Sequence, residues 1–412
     1  MVNLFKPVTR FSGFCVLFGV LLTIIPLRFF YNGWIEEFYI QPSFHFSFYG
    51  FGWVKILPPA LMYLLFGVLA VCGICIMLNK LYRVACIVFF LLFTYTELID
   101  VTYYLNHYYL VSLLTFIMIF YNSNQPATTL YNQRIIFFLK LQLSAVYFFG
   151  GINKIEPDWL LHAQPLRIWL FAHTDLPLIG SLLAKETTAF AVAWFALLFD
   201  IFIPFLLWNK KTRLAAYITL SIFHITTAVL FNIGMFPWIM MAGTLLFFMD
   251  AMPVKTILKW PLKISEKITV GVLGTMAVWQ LLFPLRHLLY KQNYLWTEQG
   301  FRFAWNIMLI EKNASIEFAV KDADGKMEAV KLDNFLTPFQ IKMMGTQPDL
   351  IIQFAGYLKK KYAENGKNIS AVYAECYLSL NGRSAQLYFS PQLNLLEQKD
   401  GFAGITWLYP LQ

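Results

Sequence analysis

The chain has 412 residues, 58% of them hydrophobic and only 13% charged, with a net charge of +9. A soluble globular chain carries about 25% charged residues, so the composition excludes an ordinary water-soluble enzyme. Of the 55 charges, 30 fall in residues 1–290 and 25 in the much shorter stretch 291–412. That contrast divides the chain into a membrane body, 1–290, and a soluble tail domain, 291–412.

Taken in chain order, the apolar runs predict about nine membrane segments: 11–31, 56–78, 84–105, 107–121, 135–151, 188–208, 213–232, 236–250 and 268–289. The first is long enough to span and has no small-residue cleavage site, so no cleavable signal peptide is expected. The fourth reaches only about 22 Å, short of a bilayer core of roughly 30 Å. The turn at Leu105-Asn106-His107 is therefore expected below the membrane surface, where polar backbone must be covered by protein.

In the tail, 316–321 and 328–332 flank Asp322-Ala-Asp-Gly-Lys326, a hairpin signal. Residues 349–364 have helical spacing and stop before Gly366. Residues 370–380 and 384–389 alternate around Asn381-Gly382, a second hairpin. The expected fold is an α-helical polytopic membrane protein with a C-terminal α+β extracytoplasmic domain.

Charge by loop sets orientation. The N-terminus and the loops near 79–83, 122–134, 209–213 and 251–267 hold twelve Lys and Arg, and the alternate loops hold four. The first set is expected to be cytoplasmic, which puts the tail in periplasm or lumen. The tail itself is balanced, with 13 basic and 12 acidic residues, and has no basic stripe, so nucleic acid is not an expected partner. Cys72-Gly-Ile-Cys75 has redox or zinc spacing but lies inside an apolar run, where packing explains it better.

All six histidines lie in the membrane body. Ionisable groups within spans are costly and are functional candidates by default. They are Arg28, Glu97, Asp100, His107, Lys140, Lys154, Asp200, His224, Arg286 and His287. Glu97, Asp100, Tyr104 and His107 are spaced to share one helical stripe. Lys154 follows Gly150-Gly151 and precedes Pro157, which predicts an irregular junction at the outer face. Burial against aromatic rings favours a neutral amine, hence a general base. The alternatives are a snorkelling anchor or a partner of Glu156 or Asp158. His107 reads equally as a capped turn residue, and His224 as an interhelical hydrogen-bond partner. Asp200 reads as an ion-pair partner of Lys140 or Arg28. Arg286 and His287 can be anchors of the last span.

Phe148-Phe-Gly-Gly-Ile-Asn-Lys-Ile-Glu-Pro-Asp-Trp159 resembles the catalytic-lysine segment of the vitamin K-dependent gamma-glutamyl carboxylases, within the wider HTTM family. Tyr82–Cys86, Leu98–Thr102 through Asn106-His107, Phe223-His224 and Phe231–Phe236 resemble further segments in register. Trp296-Thr-Glu-Gln-Gly300 through Phe303–Met308 resembles the segment linked to glutamate-substrate binding. The resemblance runs from about 11 to about 409 and ends with the first outward domain, so a short form is expected.

The resemblance implies oxidation of reduced vitamin K (menaquinol or phylloquinol) to its epoxide by O2, coupled to addition of CO2 at glutamate γ-carbons, without a metal. Lys154 and His107 match catalytic positions. Asn106 and His287 match cofactor-binding positions, and Trp296, Gly300 and Trp305 match substrate-binding ones. The implied partners are the bilayer, a quinol and a secreted glutamate-containing protein or peptide. Glu298 and Gln299 depart from the family segment, and Asn153 stands where the animal motif has a first lysine. Quinol epoxidation without carboxylation, and a non-enzymatic lipid- or partner-binding protein, stay open as alternatives.

Overall fold

The computed structural model describes residues 10–249, 256, 264–399, 401, 402 and 404–412. Most of the loop expected at 251–267 lies outside them.

Among the described residues, seven helices are long and apolar enough to cross a membrane. Six are α1 (Arg10–Tyr31), α2 (Pro59–Met77), α3 (Tyr82–Ile99), α5 (Leu130–Ile152), α9 (Glu186–Trp208) and α10 (Arg213–Leu230). The seventh is α12, the helical stretch Glu266–Leu289, and a single helical turn, α13 (Tyr294–Thr297), follows it. The other two predicted segments are short: α4 (Asn106–Met118) has 13 residues, and α11 (Phe236–Thr244) extends as an apolar helix to Phe248. At 1.5 Å per residue, α4 covers only about 20 Å. Short helices α6 (Pro157–His162), α7 (Leu166–Phe171) and α8 (Gly180–Leu183) fill the loop between α5 and α9.

The expected stripe from Glu97 to His107 is interrupted. The helix stops at Ile99, Asp100 is extended (φ −142°, ψ 116°), and a single 3-10 turn spans Val101–Tyr103 before α4. Asp100 is the cause. Its Oδ1 accepts from the Thr102 N–H at 2.9 Å and the Thr102 hydroxyl at 2.7 Å. Such local side-chain bonds compete with helix propagation.

The soluble domain is α+β. Strands β1 (Lys312–Asp322), β2 (Met327–Val330), β3 (Ile369–Leu380) and β4 (Gln386–Leu387) form one antiparallel sheet in the order β2-β1-β3-β4. Both expected hairpins are present, with Phe318 opposite Val330 and Tyr377 opposite Leu387. Helix α14 (Pro338–Thr346) packs on β1, and α15 (Pro348–Glu364) packs on β3. Leu350, Ile351, Phe354, Ala355 and Leu358 of α15 are buried, a 3.6-residue rhythm that places one face on the sheet.

The domain sits on one end of the membrane body. Gln340, inside the capping box that starts α14, donates to Asp100 Oδ2 at 2.8 Å and to the Phe44 carbonyl at 2.9 Å. Gln353 and the Ser47 backbone exchange two bonds of 3.1 Å. Tyr103 stacks on Phe339 with ring centroids 5.2 Å apart. The loops after α1, α3 and α5 thus all meet the soluble domain.

Candidate active site

Helix α5 runs through both glycines and stops at Ile152, with Asn153 as its cap. Lys154 occupies the following turn, its N–H bonded to the Gly151 carbonyl at 2.9 Å. Pro157 then starts α6, where a missing N–H costs nothing. Gly151 lets α9 come close. A Cβ there would lie 2.7 Å from Ile201 N, so only glycine fits.

That approach brings Lys154 to Asp200. The amine donates to Asp200 Oδ2 at 2.8 Å and to the Gly150 carbonyl at 2.7 Å, and lies 5.2 Å from the Trp159 ring centroid. Both side chains are buried. The sequence-based pairings are therefore corrected: Lys154 bonds neither Glu156 nor Asp158, and Asp200 bonds neither Lys140 nor Arg28. Asp158 is engaged elsewhere. Arg383 donates to both its oxygens, at 2.7 and 2.6 Å, and Asn381 donates at 2.9 Å. Burial alone would raise the Asp158 carboxyl, but the bonds from Arg383 and Asn381 hold it below the usual carboxylate range.

Lys154 and Asp200 line a cavity of about 60 Å³. Its walls include Trp159, Phe223, Phe231, Phe236 and Ile307. A second polar pair faces the same space: the Tyr147 hydroxyl lies 2.7 Å from His224 Nε2, as the interhelical reading of His224 anticipated. The Nδ1 of His224 is buried without a hydrogen-bond partner among the described residues. An apolar, aromatic space with an amine at one polar pair and an unpartnered ring nitrogen at another fits a flat hydroxylated aromatic. Its volume holds only a few waters, so a ring enters by displacing side chains.

His107, Asn106, Trp305 and Trp296 do not line this cavity. His107 is buried, its ring 4.5 Å from that of Tyr108 and 6.4 Å from that of Phe236, a cavity wall. Asn106 accepts from the Tyr104 hydroxyl and donates to the Asn306 carbonyl, both at 2.9 Å. Trp305 is fully buried and stacks on Tyr109. Trp296 packs in the soluble domain core, its indole N–H donating to the Tyr409 carbonyl at 2.9 Å. Its own carbonyl accepts from Lys312 at 3.0 Å and from Tyr388 at 2.8 Å.

His287 stands apart from Lys154. Its ring lies 4.4 Å from that of Tyr294, and its Nδ1 donates to the Pro284 carbonyl at 2.9 Å. Gly300 (φ +79°) passes so near that a Cβ would meet the His287 backbone at 2.8 Å. Gly300 also lines a second cavity, of about 280 Å³, with Glu298, Arg302, Asp349 and Phe402. Among the described residues no three His, Cys, Asp or Glu side chains cluster as a metal would need.

The sequence reading missed the Lys154–Asp200 contact, the Tyr147 contribution and the Arg383–Asp158 clamp. Tyr147 carried a signal, lying seven residues before Lys154 and so two turns back along α5.

Fold and site together define a polytopic helical membrane protein whose outer domain closes over a buried lysine–aspartate pair in an aromatic cavity. The HTTM domain family matches residues 8–251, and the lumenal domain of vitamin K-dependent gamma-carboxylase matches residues 265–412. The chain belongs to the vitamin K-dependent gamma-carboxylase family. No solved structure matches it.

Proposed function

We propose that the chain is a quinol-dependent membrane enzyme that couples oxidation of reduced vitamin K to carboxylation of glutamate. The observation that supports this most directly is the buried amine of Lys154 in an aromatic cavity beneath the family's lumenal domain. When bound, the quinol supplies the reducing equivalents that O2 consumes, and CO2 is the carbon source. Lys154 takes the hydroxyl proton, and the aromatic wall excludes water from it. His107 supports the cavity through Phe236. Asn106 positions the loop 303–306 above it. His287 and Gly300 fix the start of the substrate segment, and Trp296 and Trp305 anchor it in two different cores. In this reading residues 1–290 form the membrane body with a cytoplasmic N-terminus, and 291–412 meet the protein substrate outside.

Purified protein given reduced vitamin K, O2, labelled bicarbonate and a short glutamyl peptide should form epoxide and labelled peptide. Lys154→Ala should abolish both. Equal product from the variant removes Lys154 as the base. Epoxide without label selects a quinol epoxidase, and saturable quinone binding without epoxide selects a binding protein.

A further inference from the structure

We propose that Asp200 is the positioning residue that decides when Lys154 is a base, by holding the ammonium in the resting enzyme and taking its proton when the ligand enters. This rests on the reading of Lys154 above, and deepens it. The geometry is a single charged hydrogen bond of 2.8 Å between two buried groups, one in the turn after α5 and the other on α9. An ammonium so held has no lone pair and cannot accept a proton. Trp159, Phe223 and Phe236 make the surroundings apolar and leave room for only a few waters, and a poorly solvated ion pair is costly unless other bonds satisfy it. Among the described residues the pair has one such bond, from the amine to the Gly150 carbonyl. A neutral amine beside a neutral carboxyl is therefore accessible once a ring displaces the remaining solvent.

The proton count closes. An N–H bond of Lys154 breaks and an O–H bond forms on Asp200 Oδ2, which leaves the pair uncharged. The Nζ lone pair then takes the ligand's hydroxyl proton, and the new ammonium stands beside the oxygen it deprotonated. No further acid or base is required.

The other titratable groups facing the pair are few. Tyr147 comes from α5, the helix before Lys154, and His224 from α10; they bond each other. Asp158, four residues on, is bound to Arg383. The segment contributing Ile307 and Met308, and the loop contributing Ile233 and Phe236, bring no charge to the cavity.

The test reads the amine itself, without ligand. Purified full-length protein in detergent is acylated with acetic anhydride across a pH series, and the peptide carrying Lys154 is quantified by mass spectrometry, with exposed Lys185 as internal reference. In Asp200→Asn, Lys154 should acylate about tenfold faster than in wild type at neutral pH, since a lost counter-charge at contact distance favours the neutral amine by at least that factor. Asp200→Glu should restore the wild-type profile. If D200N does not fold, D200S makes the same comparison. An unchanged acylation profile in a folded charge-removing variant overturns the proposal. In the epoxide assay, the pH of half-maximal rate should move down in D200N and stay in D200E. Loss of rate in both variants with no such movement assigns Asp200 a structural role only. Wild-type protein with the acylation shift but no epoxide overturns the assigned reaction and leaves the Asp200 control of Lys154 standing.

Discussion

Arg383 and Asp158 lie 225 residues apart and meet as a two-pronged ion pair, with N–O distances of 2.7 and 2.6 Å. Asp158 belongs to the first turn of the helix that follows Lys154, and Arg383 to the turn between the last two strands of the soluble domain. The junction that carries Lys154 is thereby tied to the soluble domain. Removing the guanidinium leaves a buried carboxylate with Asn381 as its remaining side-chain partner. Arg383→Ala should cost about 2 kcal/mol, less than a fully buried pair because the guanidinium is a third exposed. Thermal unfolding in detergent measures it, and Asp158→Asn in the same chain should recover part of the loss.

The same pair predicts an acid response. The folded-state value of Asp158 is depressed, so its contribution to stability is fully present above the unfolded value of about 3.9 and is lost as pH falls through the folded value. Melting temperature should therefore fall more steeply below about pH 4 in wild type than in Asp158→Asn. Parallel curves would remove Asp158 from the acid transition.

Adjacent glycines should behave differently. A Cβ on Gly150 would meet nothing closer than 3.8 Å, whereas one on Gly151 would sit 2.7 Å from Ile201. Gly150→Ala should leave stability within about 0.5 kcal/mol of wild type. Gly151→Ala should cost about 2 kcal/mol by forcing α9 away from α5. It should also mimic D200N in the acylation profile, because the displaced helix carries Asp200.

The segment 296–305 has its own internal support. Lys312 bonds Glu298 at 2.9 Å, the Trp296 carbonyl at 3.0 Å and the Thr346 carbonyl at 3.4 Å. Burial pushes the Lys312 ammonium below its ordinary value, and the attraction of Glu298 opposes that shift. Lys312→Met leaves Glu298 buried without its cation and should cost about 3 kcal/mol. Protease sensitivity near residues 294–305 should rise with it. The double variant Lys312→Met/Glu298→Met should be more stable than the single one.

Much of the architecture was legible because it is written in local pattern. The helix Pro348–Glu364 follows its apolar rhythm, and the Asn381-Gly382 turn sets the register of β3 against β4. Lys154 stood out because a cation in an apolar chain is rare, and the motif around it was specific. What was not legible depends on close approach in space. Asp200 was on the candidate list, but its partner was decided by Gly151, whose missing side chain lets two helices touch. The interruption at Asp100 was legible in principle, since an Asp two residues before a Thr can close a local turn. Helical spacing outweighed that signal in the sequence reading. The Arg383 clamp left no local trace at all, because each half is an ordinary surface charge until the domain docks.

The junction that carries Lys154 is fastened at both ends to the soluble domain. Asn153 donates to the Ala304 carbonyl at 2.7 Å, and Asp158 holds Arg383 and Asn381. Four residues strung between two such moorings have little slack. A tilt of the soluble domain is therefore passed to the Lys154 amine, and position alone couples the two parts of the chain.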